Sequence, residues 1–251
     1  MTADVARERR GNRVAGVAAM LSVAGSFAAL LLLVSTTTAD TGDDDARRSL
    51  LEADQNATTL WAAVGARVLS ALLIALVGWR LVVLVRHRVD VPKALGPLAI
   101  AAPVGLALSA LLGHLSLIDA ADAFTSGGPM TEARAEDLLS EGGLQRLAAV
   151  LGIVLGVVFA GWLAWVSLAG LRAGLFTTTL GYWGAGAGLA SVLLPLAGQG
   201  LLLGWLGSLG LLLLGWWPGG LGPSWTTGEP VPWQPVRGRP VGAGRPGGGS
   251  A

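Results

Sequence analysis

Cysteine is absent from this chain, lysine occurs once (Lys93) and histidine twice (His87, His114). Without cysteine there are no disulfides, no thiolate metal sites, no iron–sulfur cluster and no lipid-modified Cys. Charge is scarce as well. Asp, Glu, Lys and Arg make up 13% of the chain, about half the ~25% of a soluble domain. The net charge of +1 leaves no electrostatic basis for a nucleic-acid partner, and none is expected. What remains is apolar: 53% of the 251 residues are strictly hydrophobic and a further 38 are glycine. Such a composition excludes a disordered chain, a coiled coil and an ordinary cytosolic enzyme. It calls for lipid as solvent.

The expected fold class is therefore all-α: a polytopic membrane protein with about six transmembrane helices and both termini in the cytoplasm. Residues 1–13 form a basic N-terminus with Arg7, Arg9, Arg10 and Arg13. The transmembrane domain covers 14–217, with spans at about 14–36, 61–85, 94–113, 147–171, 176–197 and 201–217. The first run exceeds the ~7–15 residues of a signal peptide core, so it is read as a retained signal anchor. Ser49 and Glu52 stand at capping-box spacing and predict a helix start there. Pro103 predicts a kink in the third span. The polar connection 114–146 holds a short helix that Thr131 can cap and that Gly142-Gly143 ends. Pro195 and Gly198-Gln199-Gly200 divide 176–217, either as two full spans or as a re-entrant hairpin. Residues 218–251 are Pro- and Gly-rich and are expected to be a largely disordered cytoplasmic tail.

Orientation follows from the basic residues, which concentrate on cytoplasmic loops. With six spans and the N-terminus inside, twelve Lys and Arg fall inside and five outside, namely Arg47, Arg48, Arg67, Arg134 and Arg146. The location expected is the plasma membrane, multi-pass. Of the basic residues, 16 are Arg, a bias that suits a high-GC bacterial genome.

Few residues offer chemistry. Arg67 lies deepest within a span and is the candidate ligand for an anion or lipid headgroup, since charges inside membranes are costly and often functional. The plainer alternative has it snorkelling to the interface or pairing with Glu52 or Asp54. No Asp, Glu, Lys or His occupies a span centre, as proton-coupled transport usually needs. His87 and His114 fall on opposite sides of the membrane and cannot share a metal. Asp43-Asp44-Asp45 lacks the alternating ligands, Gly and Glu of a calcium loop. No catalytic set, cofactor site or metal site is expected. Three small-xxx-small pairs, Gly152/Gly156, Gly184/Gly188 and Gly200/Gly204, suit close helix packing, within the chain or across a dimer. Trp61, Trp79, Trp216, Trp217, Trp225 and Trp233 are candidate interfacial anchors. The last two, set between Pro223 and Pro235, either fold the tail back or form a Pro/Trp peptide motif.

Two stretches carry a likeness. Trp217-Pro218-Gly219-Gly220 with Pro223-Ser224-Trp225-Thr226-Thr227-Gly228-Glu229-Pro230-Val231-Pro232-Trp233 resembles the closing signature of a family of six-span integral membrane proteins of high-GC Gram-positive bacteria. Leu171-Arg172-Ala173-Gly174-Leu175-Phe176-Thr177 is similar to the inner loop before that family's last hairpin. The family carries an acid where Thr226 stands and a second Arg near Thr179, and this chain departs at both. The resemblance implies six spans and brings no activity with it.

The expected function is that of a structural or accessory, non-catalytic helical bundle. An uncoupled channel or facilitator past Pro103 is one alternative, and an outer-leaflet lipid or anion binder using Arg67 is another. The lipid bilayer is the expected partner, with a second copy or another membrane protein left open.

Overall fold

The computed structural model describes residues 3–36, 45–218 and 220–233. It is all-α, with no strand among the described residues. Helix α1 is Ala3–Thr36, α2 Asp45–Gln55, α3 Ala57–Arg86, α4 Leu95–Ser126, α5 Glu132–Glu141, α6 Gly143–Arg172, α7 Thr178–Leu193, α8 Pro195–Leu214 and α9 Ser224–Thr227. Five helical stretches are long and apolar enough to cross a bilayer: Glu8–Ser35, Ala57–Arg86, Leu95–Ser126, Gly143–Arg172 and Ala197–Leu214. The chain is thus a multi-pass membrane protein. The remaining hydrophobic helix, α7, has 16 residues, about 24 Å at 1.5 Å per residue, short of a ~30 Å hydrocarbon core.

Six helices form a ring in which each packs on the next, in the order α1, α3, α4, α6, α7, α8 and back to α1. The first and last described residues lie at one end of this ring, the base. There the Arg80 guanidinium donates to the Asn12 amide oxygen at 2.8 and 2.9 Å and to the Glu8 carbonyl at 2.9 Å. Arg88, whose side chain is 2% exposed, pairs with the Glu8 carboxylate at 3.2 Å and donates to the Ser224 carbonyl at 3.0 Å. These bonds tie α1, α3 and the segment after α8 together. Gly174 turns the chain between α6 and α7 with φ +67°, in the left-handed region that favours glycine. A Cβ there would also overlap the Val231 carbonyl.

The start of the tail is ordered. The Trp225 indole donates to the Leu175 carbonyl at 3.0 Å, and the Ser224 hydroxyl both donates to and accepts from the Val231 backbone at 2.9 Å. Trp233 covers Gly222. The Pro/Trp stretch is therefore spent on intramolecular contacts up to residue 233. The disorder expected of 234–251 falls outside the described residues.

The opposite end, the cap, differs from the sequence expectation. The third span does not end at Gly113. α4 runs on to Ser126 because Leu117, Ala120, Ala121 and Phe124 continue a helical apolar stripe, which packs with Leu50 and Ala53 of α2 and Ala135 of α5. α2 starts at Asp45 rather than at a Ser49 cap. Its first free amides, Ala46 and Arg47, donate to the Glu132 carboxylate at 2.8 and 3.0 Å, so a neighbouring helix supplies the cap. Glu52 instead pairs with Arg48 at 3.2 Å. Thr131 precedes α5 without a side-chain cap bond. Pro103 sits inside α4. Gly198, Gln199 and Gly200 lie within α8, and the break between the last two long helices falls at Leu194.

Candidate functional site

The axis of the ring is filled differently in its two halves. Towards the base, Gly78 of α3 leaves room for the Trp162 ring of α6, and Phe159 stacks on Trp162 with centroids 5.8 Å apart. Trp205 and Leu206 of α8 and Leu163 of α6 complete this floor, each at most 2% exposed. Both indoles are satisfied, Trp162 donating to the Leu95 carbonyl and Trp205 to the Leu180 carbonyl, each at 3.0 Å. The void left among these residues is about 10 Å³, at the lower limit for one water.

Towards the cap the same positions carry small residues, and a cavity of about 460 Å³ opens. Ala71, Ala107, Ala110, Ala148, Ala149 and Gly152 form much of its wall, with Pro103 and Leu106 beside them. Ile74, Phe159 and Leu202 line its bottom and belong also to the packed floor. The volume falls within the ~300–1,000 Å³ of small-molecule sites.

Five polar side chains reach this cavity: Arg67 and Ser70 of α3, Ser26 of α1, Ser109 of α4 and Gln199 of α8. Arg67, Ser70, Ala71 and Ile74 recur at i, i+3, i+4 and i+7, so helical geometry presents them on one face. The Ser109 hydroxyl donates to the Ala148 carbonyl at 2.7 Å. Ser70 is 3% exposed and its hydroxyl has no partner among the described residues. Its oxygen is itself covered, lying against Gly25 of α1, where an added Cβ would overlap it. Arg67 makes neither ion pair nor hydrogen bond among the described residues, and it does not pair with Glu52 or Asp54. The lining combines one free cation with one amide and three hydroxyls on apolar walls.

The other sequence candidates have different places. Four of the six motif glycines sit at helix contacts. A Cβ at Gly184 would overlap the Ser167 hydroxyl and the Trp205 indole, at Gly188 the Ala160 carbonyl, at Gly204 the Trp183 ring, and at Gly152 it would crowd the Ser109 hydroxyl. Gly156 and Gly200 meet no other helix within 4 Å of that point among the described residues. Trp61, Trp79 and Trp216 are exposed at 43%, 45% and 70%, while Trp217, Trp225 and Trp233 pack partly against the core. His114 is no interfacial residue beyond a span. It lies within α4, 7% exposed, its ring edge-on to Trp61 at 4.6 Å. His87 caps α3 at the base, the far end of the ring.

Sequence reasoning singled out Arg67 and missed its company. Two signals were present: Ser70 stands at i+3 from Arg67, and Gln199 is the only amide side chain in a stretch, 173–228, that has no charged residue. Comparison with known protein families, curated proteins and solved structures finds no match to this chain.

Proposed function

We propose that this chain is a non-catalytic accessory protein of a bacterial plasma membrane that binds an anion with an apolar tail in its cap-half cavity. The observation that carries this reading is the lining: an unpaired guanidinium beside hydroxyls and an amide, backed by alanine, leucine and proline. An anionic head accepts hydrogen bonds from Arg67, Gln199 and Ser26, and the apolar tail lies along the walls. None of the residues lining the cavity is a carboxylate or an imidazole, so the site offers affinity rather than acid–base chemistry. The packed floor of Phe159, Trp162, Trp205 and Leu206 speaks against the facilitator alternative.

The basic residues of the base, among them Arg9, Arg10, Arg13, Arg80, Arg86, Arg88, Lys93 and Arg172, support a cytoplasmic base and an outward cavity. The likeness of the Trp217–Trp233 segment to six-span proteins of high-GC Gram-positive bacteria agrees with this membrane. Reporters fused after residues 90, 178 and 235 are expected to read cytoplasmic, and those after 42 and 130 external. An external signal at 235 contradicts the arrangement. The outer faces of the ring meet lipid, and a second copy or another membrane protein fits the same faces.

The binding reading is tested by calorimetric titration of the protein in neutral-lipid nanodiscs. Dodecyl phosphate is expected to bind saturably at one site per chain, while dodecyl maltoside shows partitioning heat alone. Equal behaviour of the two amphiphiles overturns the reading.

A further inference from the structure

We infer that the ligand of this cavity is a phospholipid of the outer leaflet carrying one negative charge, and that it reaches Arg67 sideways, through a gap between the cap half of α6 and the tip of the α7–α8 hairpin. The inference rests on the binding function proposed above and names its ligand class and route.

The gap follows from the unequal lengths of α6 and α7. A stripe of α7, Gly181, Gly184 and Gly188, packs on Leu171, Ser167, and Ala160 with Leu163, of α6. The next position on that stripe, Val192, is exposed, and α7 ends one residue later. On α6 the same face continues to Gly156, which has nothing within 4 Å of a Cβ position, and to Ile153, 69% exposed. The two helices have parted there. Ala149 and Gly152, directly above on α6, line the cavity. Its lining therefore borders the gap.

What the gap faces is set by the hairpin tip. Leu193 and Leu194 are 75% and 60% exposed, and no charge occurs between Arg172 and Glu229. The turn also pairs part of its backbone polarity. Leu194 donates its amide to the Ala190 carbonyl at 2.8 Å and accepts the Gly198 amide at 2.6 Å, and residue 195 is a proline without an N–H. A tip so apolar and so free of charge belongs among acyl chains rather than in water. The opening beside it is an opening to the bilayer.

The headgroup class follows from the charges. Arg67 is the single cation of the lining, which matches one phosphodiester charge. The Gln199 amide and the Ser26 hydroxyl, which also line the cavity, offer further hydrogen bonds to phosphate oxygens or to a polyol beyond them. The cavity has room for a head and its first carbons, and the gap leaves the tails in the leaflet.

The test uses the full chain purified from vesicles of phosphatidylglycerol and phosphatidylcholine, with retained lipid identified by mass spectrometry. Gly156→Trp and Val192→Trp fill the gap from its two rims, and Gly161→Trp, at an equally open site elsewhere on α6, is the control. Wild type and control are expected to retain phosphatidylglycerol in preference to phosphatidylcholine, and both rim variants to lose it. Glycerol 3-phosphate, which has no tail and arrives from water, is expected to bind the rim variants as it binds wild type. Rim variants that keep the lipid, or that lose both ligands, overturn the sideways route. Equal retention of phosphatidylcholine overturns the headgroup class. Failure of wild type to bind dodecyl phosphate at all marks instead a failure of the underlying binding function.

Discussion

Arg67→Gln is expected to weaken dodecyl phosphate binding by about 10- to 100-fold, the equivalent of the ~1.5–3 kcal/mol of a charge-assisted hydrogen bond. The variant keeps a polar group of similar reach and removes the charge. Stability should not follow affinity. Arg67 is exposed and makes no ion pair among the described residues, so its loss strands no partner in the interior. Membrane level and melting temperature are expected to match wild type, as they are for Arg67→Leu. Arg67→Lys restores the charge without the planar fork and should recover affinity in part. Calorimetric titration and thermal unfolding of the same preparations separate the two properties. Unchanged affinity in Arg67→Gln, or a large fall in melting temperature, contradicts the role assigned to Arg67.

Gly184→Leu should have the largest effect on folding. Any Cβ at this position overlaps the Ser167 hydroxyl and the Trp205 indole, and Trp205 must shift to make room. Its N–H then leaves the Leu180 carbonyl, 3.0 Å away, and a fully buried donor goes unsatisfied. Overpacking costs ~1–3 kcal/mol and an orphaned buried donor about the same. Leucine's better helix propensity returns at most ~1 kcal/mol. A net loss of about 2–4 kcal/mol is expected, seen as a marked fall in melting temperature in detergent. Gly156→Leu, in an identical Gly-x-x-x-Gly motif, meets open space and should be close to neutral. Equal destabilisation by the two substitutions contradicts the packing described here.

The contrast between these glycines shows what the sequence could and could not convey. Gly152/Gly156 and Gly184/Gly188 read alike as spacing, because spacing reports only that a close approach is available. Which member meets a neighbour depends on the partner helix, and Trp205 is 21 positions away from Gly184. The apolar runs and their charged ends were legible because bilayer thickness imposes them residue by residue. The extension of α4 to Ser126 was hidden by His114, Asp119 and Asp122, whose polarity suggested a loop. The stripe Leu117, Ala120, Ala121, Phe124 acquires its meaning only when α2 and α5 cover it. Ser49 and Glu52 presented a local cap, and a carboxylate some 80 residues away, Glu132, displaced it.

The site shows the same division. Arg67 could be singled out because a guanidinium in an apolar run stands out against its neighbours. Ser70, at i+3 on the same helix, could be joined to it by spacing, but Ser26, Ser109 and Gln199 could not, since they lie on three other helices and converge through the ring alone. The length of α7 was legible only as an ambiguity, two spans or a re-entrant hairpin. Its resolution depends on where α7 leaves α6.

An electron cryo-microscopy reconstruction of the protein in nanodiscs containing phosphatidylglycerol tests the binding site most directly. The expected map shows headgroup density in the cap-half cavity, in contact with Arg67 and Gln199, and tail density leaving between α6 and the α7–α8 tip. A cavity filled by rearranged side chains, or lipid density confined to the outer faces of the ring, would contradict it.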